Sequence, residues 1–403
     1  MADAAGTPMN LDSSETREMT RVPFTDLAAM TGEVWPEIEQ DYLSCLLDGA
    51  YIGGPAVTAF ERGWAAYCGA DHGVGLGNGT DALLLSLTAL GVGPGDEVVV
   101  PANTFIATAA AVVRAGATPR FADVSDDTLL MTADTLAAAI TPRTRAVIIV
   151  HLYGQLPDMA GLAAIAQQTG IAVIEDAAQA HGAEWGGRRA GSFGAVACFS
   201  FYPAKNLGAF GDAGAVTTSR PELADEIRSL ANHGRSHGHS HYDHDRIGTN
   251  SRLDALQAIL LSGKLAHLEE WTERRIALAS RYREQLGGDE FAGTGLKLTA
   301  TAPLARHVYH LFVVRVPRRD SVRAALTRRG IQTGVHYPVP CHRQPPLRRL
   351  AEHPLPVAER AAGEVLSLPL FPHMTDRQVD YVCESLAEAL RAAAVGSEAA
   401  SAQ

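Results

Sequence analysis

Between residues 74 and 220, short apolar runs recur, and a helical pattern separates each from the next. This alternation constrains the fold more than any other feature of the chain. Glu97–Val100, Ala146–Val150, Ile171–Ile174 and Ala197–Phe201 are each four or five residues long. Strands apolar at nearly every position, rather than every second one, are covered on both faces. Helices expected at 81–90, 104–115 and 158–169 supply the cover. The expectation is an α/β fold with a mostly parallel sheet. A long amphipathic helix is expected over 254–286. Beyond it the texture changes, with a strand at 309–316, a helix at 321–329, a strand at 331–336, a Pro-rich loop and two further helices. That pattern predicts a smaller C-terminal α+β domain. The expected division is a large domain over 21–265, a small one over 266–391, and mobile tails at 1–20 and 392–403.

Composition narrows the function. The 403 residues carry 34 basic and 45 acidic side chains, a net charge of −11. Phosphate-backbone binding needs clustered cations, so a nucleic-acid partner is not expected. No apolar stretch reaches the ~18 residues of a membrane span, and residues 1–21 lack a signal-peptide layout. A cytoplasmic location follows. Five scattered cysteines, none in CxxC spacing, read as reduced thiols rather than a disulfide framework or a zinc site. The segment 233–244 carries five histidines. Its Gly- and Ser-rich texture and the lack of HExxH spacing favour a solvated loop, and no metal is expected.

In open α/β sheets ligands bind beyond the carboxyl ends of the strands. Three segments there carry chemistry. Gly77-Asn78-Gly79-Thr80-Asp81 opens a helix, where glycines and helical amides can cradle a phosphate. Glu175-Asp176 follows an apolar strand, either as a helix cap or as a carboxylate facing a cationic group. Lys205 follows the strand 197–201 in a Gly-rich setting. Only three of the 34 basic residues are lysine, namely Lys205, Lys264 and Lys297. Desolvation would make Lys205 a nucleophilic amine suited to a Schiff base. Lys264 and Lys297 are expected to be solvated. A dinucleotide fingerprint fails at its last glycine in both Gly75–Thr80 and Gly91–Asp96, and no P-loop occurs.

A phosphate cradle, an acid and a lysine, in that order, suit pyridoxal phosphate. From about Val22 to Leu390 the chain resembles the DegT/DnrJ/StrS family of sugar aminotransferases. The resemblance rests on Gly53-Gly54-Pro55 with Phe60-Glu61, GNGTDAL at 77–83 and GPGDEVVVPANTFIAT at 93–108. It extends through HLYGQ at 151–155, EDAAQAHGA at 175–183 and FSFYPAKNLGAFGDAGA at 199–215. TNSRLDALQA at 249–258 and GVHYPVPCHRQP at 334–345 complete it.

The resemblance implies an aspartate-aminotransferase type of fold and a role for each matched residue. Lys205 would bind the cofactor and shuttle the proton. Asp176 would pair with the pyridinium nitrogen and Gln179 would sit near the 3-hydroxyl. Phe105 would stack on the ring. Gly79, the amides of Thr80 and Asp81, and Ser200 would hold the phosphate. Asn250 would reach the cofactor of a second subunit, making the active site a property of a homodimer. Tyr51, His336 and Tyr337 would lie near the substrate. The implied reaction moves an amino group from L-glutamate to a nucleotide-linked 3- or 4-keto-deoxysugar, dTDP-linked in the commonest case. A lysine at 205, where dehydratases of the family carry histidine, favours transamination.

The alternatives are a keto-cyclitol aminotransferase, a regulatory protein on the same fold and a nicotinamide-dependent reductase. Two departures stand out. Gly211-Asp212-Ala213-Gly214 replaces the usual GDGG or GEGG, and the histidine-rich loop lies just before Asn250.

Overall fold

The structure is a computed structural model that describes residues 21–235, 242–351 and 353–401, with side chains as far as Ala393 in the last helix. The segment 1–20, expected as a tail, and residues 236–241 of the histidine-rich loop lie outside the described residues.

The first half alternates helices and strands in the order α1 (Leu27–Asp48), α2 (Pro55–Cys68), β1 (His72–Leu76), α3 (Gly79–Ala89), β2 (Glu97–Pro101), α4 (Ile106–Arg114), β3 (Thr118–Ala122), α5 (Ala133–Ala139), β4 (Thr144–Val150), α6 (Met159–Thr169) and β5 (Ala172–Asp176). There follow β6 (Glu184–Trp185), β7 (Arg188–Arg189), β8 (Val196–Ser200), β9 (Gly214–Thr218), α7 (Pro221–Ala231) and α8 (Ala255–Leu286). Last come β10 (Lys297–Leu298), β11 (Ala305–Arg306), β12 (Phe312–Arg315), α9 (Arg319–Arg328), α10 (Pro356–Glu364), β13 (Val365–Leu368) and α11 (Asp376–Ser401).

Local chemistry sets many of these boundaries. Asp26, Asn78 and Asp158 cap α1, α3 and α6 by accepting a backbone N–H two or three residues into the helix. Gly49, Gly69 and Gly170 end α1, α2 and α6 in the left-handed conformation that spares glycine a Cβ clash.

Seven strands form the main sheet in the order β1-β9-β8-β5-β4-β2-β3. The run β8-β5-β4-β2-β3 is parallel, and β9 is antiparallel to both its neighbours. The apolar runs have a simple cause. On β4, Ala146, Ile148 and Val150 join one core cluster, while Val147 and Ile149 join a second on the opposite face. On β2, Val98 and Val100 divide from Val99 in the same way. Each such buried Val or Ile contributes roughly 1.5–3 kcal/mol.

The smaller sheet, β10-β12-β13, is antiparallel. With α9, α11 and the end of α8 it encloses a separate cluster that includes Tyr282, Phe312, Val322, Leu366 and Val382.

The strands and helices expected between 81 and 201 are present to within a few residues. β1, β3, β9 and β13 were not marked out by the sequence. β3 carries Pro119 and Arg120, which an edge strand tolerates. β9 is Gly- and Thr-containing rather than aliphatic. The strand expected at 331–336 is not formed. Ile331 bridges Val22 and Gly334 bridges Ser367, so this segment meets two different partners and builds a ladder with neither. α11 runs on to Ser401, through most of the segment expected as a tail from 392. Its alanine-rich sequence favours helix.

Lys264 is not solvated as expected. It is 3% exposed, its Nζ donates to Gly208 O at 2.8 Å, and it lies 5.2 Å from the Phe210 ring centre. Leu261, Lys264, Leu268 and Trp271 are all buried along α8, so Lys264 falls on the helix's inward stripe. Burial lowers its pKa to about 8. Lys297 is exposed, as expected.

A depressed lysine pKa destabilises the fold fully below pH 8, and the penalty fades as pH rises toward the unfolded value near 10.5. The melting-temperature difference, Lys264→Met minus wild type, should therefore fall between pH 8 and about 10. Thermal unfolding of both proteins across that range checks this. A difference that stays flat means the amine is not desolvated.

Candidate functional site

The parallel strands end on one edge of the sheet, and the chain turns that follow them enclose a cavity of about 480 Å³. Its wall includes Asn78, Gly79, Thr80, Phe105, Asp176, Gln179, Ser200, Lys205, His336 and Tyr337. Nine of the twelve positions singled out from the sequence therefore come together from segments up to 258 residues apart.

At one side, three backbones approach closely. An added Cβ on Gly79 would lie 2.7 Å from Ser200 Cβ, and one on Gly214 would lie 2.5 Å from the Asn78 carbonyl carbon. Only glycine permits this contact. It sets the N-terminus of α3 beside Ser200. The amides of Gly79 and Thr80 have no intrahelical acceptor, as at any helix start. Together with the partial positive charge of the helix end, they suit an anion such as a phosphate. Ala213, where a glycine was noted as usual, does not adopt a positive φ, so its methyl is accommodated.

Asp176 ends β5 on the floor of the cavity. Thr108 Oγ1 donates to its Oδ2 at 2.8 Å, and the amide of Ala178 donates to Oδ1 at 3.3 Å. Burial pushes its pKa up, against these donors and against Lys205. Behind it, Glu175 accepts from the amides of Gly191, Phe193 and Gly194 and pairs with His151 at 2.8 Å.

Lys205 sits in the loop after β8. Lys205 N donates to Tyr202 O at 2.8 Å, Ala209 N donates to Phe201 O at 2.8 Å, and Asn206 Nδ2 donates to Val308 O at 3.1 Å. Desolvation lowers its amine pKa to about 8, opposed by the charge of Asp176. A larger share of the amine is then neutral, and so nucleophilic, near neutral pH.

Gln179 Oε1 accepts from the amide of Tyr153 at 2.7 Å, and its Nε2 donates to the Tyr337 hydroxyl at 3.1 Å. Tyr337 packs on Phe105 with ring centres 5.6 Å apart. Phe105 is 53% exposed at the mouth. His336 Nδ1 lies 2.8 Å from Ser367 Oγ, and its carbonyl accepts from Tyr153 Oη at 2.6 Å.

Three expected residues do not line the cavity. The amide of Asp81 donates to Asn78 Oδ1 at 2.8 Å, so it serves the helix cap. Tyr51 is exposed and its hydroxyl donates to Leu46 O. Asn250 is exposed on a bridge to Asn232.

Thr108, Tyr153, His310 and Arg275 were missed. Arg275 could have been found, because it continues the inward stripe of α8 through Trp271, Leu278 and Tyr282. Thr108 and Tyr153 carry no local signal. Among the described residues, the grouping with metal-ligand spacing is Glu33, His267 and Glu270, away from the cavity. Arg274 already bridges Glu33 and Glu270.

A sequence profile of the DegT/DnrJ/EryC1/StrS aminotransferase family matches residues 34–387. The dTDP-3-amino-3,4,6-trideoxy-alpha-D-glucose transaminase of Streptomyces venezuelae is 47% identical over 93% of this chain and 98% of its own length. The crystal structure of S. venezuelae DesV in complex with a ketimine intermediate superposes with a TM-score of 0.87 at 48% identity, over 92% of this chain and 98% of that one. NtdA of Bacillus subtilis, with bound cofactor PMP, superposes with a TM-score of 0.85 at 33% identity, over 92% and 86%.

Gly79→Ala drives a methyl into Ser200 and should cost about 1–3 kcal/mol of stability. It should also weaken pyridoxal phosphate binding more than binding of unphosphorylated pyridoxal. Spectral titration with both compounds checks this. Equal weakening would place the phosphate elsewhere.

Proposed function

Because this chain belongs to the DegT/DnrJ/EryC1/StrS aminotransferase family, we propose that it uses pyridoxal phosphate to move an amino group from L-glutamate to the keto group of a nucleotide-linked deoxysugar. The observation that carries this reading is the single cavity that joins Lys205, Asp176 and the Gly79–Ser200 cradle. The name of the Streptomyces relative supports a dTDP-linked 3-keto sugar as acceptor.

The residues fit the cofactor. The close approach of Gly79 to Ser200 sets the first amides of the helix beside the Ser200 hydroxyl on the cavity wall, a set of donors that fits a phosphate. Asp176, fixed by Thr108, is a carboxylate suited to a pyridinium nitrogen. When bound, pyridoxal phosphate supplies an electron sink beside the carbon that gains or loses the amine.

The chain's own groups do the rest. Thr80 and Ser200 hold the phosphate end. Asp176 keeps the ring nitrogen protonated, and its burial strengthens that pairing. Gln179 is fixed by Tyr153 and Tyr337 and orients the ring's 3-hydroxyl. Phe105 would cover the bound ring, and Lys205 would be the residue that holds the cofactor's carbonyl end. Its amine, desolvated in the cavity, is the group that would take a proton from the donor's α-carbon and return one to the product. His336 and Tyr337 border the acceptor.

Tyr51 and Asn250 would serve the cavity of a second copy in a homodimer. The exposure of Leu47, Tyr51, Ile52 and Ile247 supports such a contact. Among the described residues no helix is long and apolar enough to cross a membrane. A cytoplasmic site of action belongs to the same reading.

Adding L-glutamate to the cofactor-loaded protein should bleach its visible band with no acceptor present. A band that persists would mean another donor or another reaction.

Lys205→Ala should lower turnover by roughly 10²–10⁴-fold, the usual contribution of a positioned proton-transfer group, or abolish it. Steady-state assays with a dTDP-3-keto-deoxysugar and with an inosose compare the two ketone classes. Turnover of the inosose alone would replace the acceptor assigned here.

A further inference from the structure

Arg275 lines the same cavity and is 3% exposed. No carboxylate pairs with it among the described residues, and burial alone pulls its pKa down to about 10. Nη1 donates to Leu370 O at 2.8 Å and to Tyr309 O at 3.3 Å. Nε is enclosed without a partner. Nη2 makes no hydrogen bond among the described residues, so it is the nitrogen free to meet a ligand in the cavity. A guanidinium in a desolvated wall with no counter-charge favours any anion that the filled site brings to it.

The surroundings narrow which anion. Phe105 and Tyr202 are exposed and mark the mouth, whereas Leu368, Leu370 and Arg275 are buried and mark the depth. The phosphate cradle uses another wall, at Gly79 and Ser200. About 480 Å³ must hold the cofactor and the reacting part of the substrate, so a nucleotide diphosphate has to extend through the mouth. The charges of Lys205 and Arg275 both act on His310, whose ring is held neutral by burial and by these two cations. Lys205, His310 and Arg275 all line this cavity, so the deep cation and the reactive lysine open onto the same space. An α-amino acid presents a carboxylate one carbon bond away from its reacting amine.

We propose that Arg275 binds the α-carboxylate of the amino donor through Nη2. The assignment rests on the aminotransferase reading above and deepens it. Arg275 selects α-amino acids over simple amines and holds the donor's α-carbon toward Lys205. A ketosugar has no carboxylate, so Arg275 acts in the donor half of the cycle.

The test uses the cofactor-loaded enzyme and calorimetric titration with 2-methyl-L-glutamate, which lacks the α-hydrogen and cannot react onward. Arg275→Gln should weaken its binding roughly ten- to a hundredfold, the range for a hydrogen bond to a charged group. Binding of the nucleotide ketosugar to the pyridoxamine-loaded enzyme should be unchanged. An unchanged Kd for 2-methyl-L-glutamate overturns the assignment. Equal weakening of both ligands also overturns it, because Arg275 would then serve the diphosphate or the fold.

Should Arg275→Gln fail to fold, Arg275→Lys decides by a double comparison. Wild type should prefer 2-methyl-L-glutamate over 4-aminobutanoate, which has no α-carboxylate, and the lysine variant should narrow that preference severalfold. An equal preference in both proteins sinks the arginine assignment alone. Failure of the wild type to react with any amino acid sinks the aminotransferase reading and this assignment with it.

Discussion

The contact on which the site depends is the close approach of three backbones, at Asn78–Gly79, Ser200 and Gly214. β9 enters the sheet antiparallel between β1 and β8, and its first residue, Gly214, faces both Leu76 and Ser200. A side chain at Gly79 or Gly214 would push these segments apart. Their contact fixes the start of α3 beside the end of β8. It thereby fixes how far the first amides of α3 stand from Lys205, which lies five residues beyond Ser200. The parallel order of β8, β5, β4 and β2 then brings Asp176, His151 and the Asn103–Phe105 turn to the same edge.

Buried charge is the second organising constraint. Asp176, Lys205 and Arg275 border the cavity, and the surroundings disfavour the charged form of each. Such groups lower stability unless a ligand compensates them. Glu175 shows the contrast. It is equally buried but satisfied by three amides and His151, and its pKa is lowered on balance. The protein thus holds a satisfied acid directly behind an acid set to meet a ligand. Lys264 extends the pattern to the loop bearing Lys205, since it donates to the carbonyl of Gly208.

Much of the site was legible because its chemistry follows strands directly. Asp176 and Lys205 each come after an apolar run, where a charge is conspicuous, and Gly79-Thr80 precedes one. Less legible were residues whose role depends on the opposite wall. Thr108 matters because α4 lies against the end of β5, and Tyr153 because it braces both Gln179 and His336. The amide of Asp81 has a local partner that the sequence pattern does not show, since the Asn78 side chain caps α3 and accepts from it. By sequence Lys264 reads as a solvated helix residue. The inward stripe of α8 carries it, and charge on such a stripe runs against the usual pattern of an amphipathic helix.

The sequence by itself determined the layered α/β architecture, because apolar runs of only four or five residues, each set between helical patterns, read as strands covered on both faces. It also marked out the lysine, the acid and the glycine turn as candidates, because each stands directly after or before an apolar run, although the acid and the turn each kept a purely structural reading until they were taken together. Only the tertiary structure decided that β9 runs antiparallel beside β8, that residues 331–336 split their pairing between Val22 and Ser367, and that Arg275 borders the cavity with no carboxylate paired to it among the described residues. These outcomes depend on which surfaces meet across long sequence separations. Local periodicity carries the face a residue points to, and packing alone decides what stands opposite.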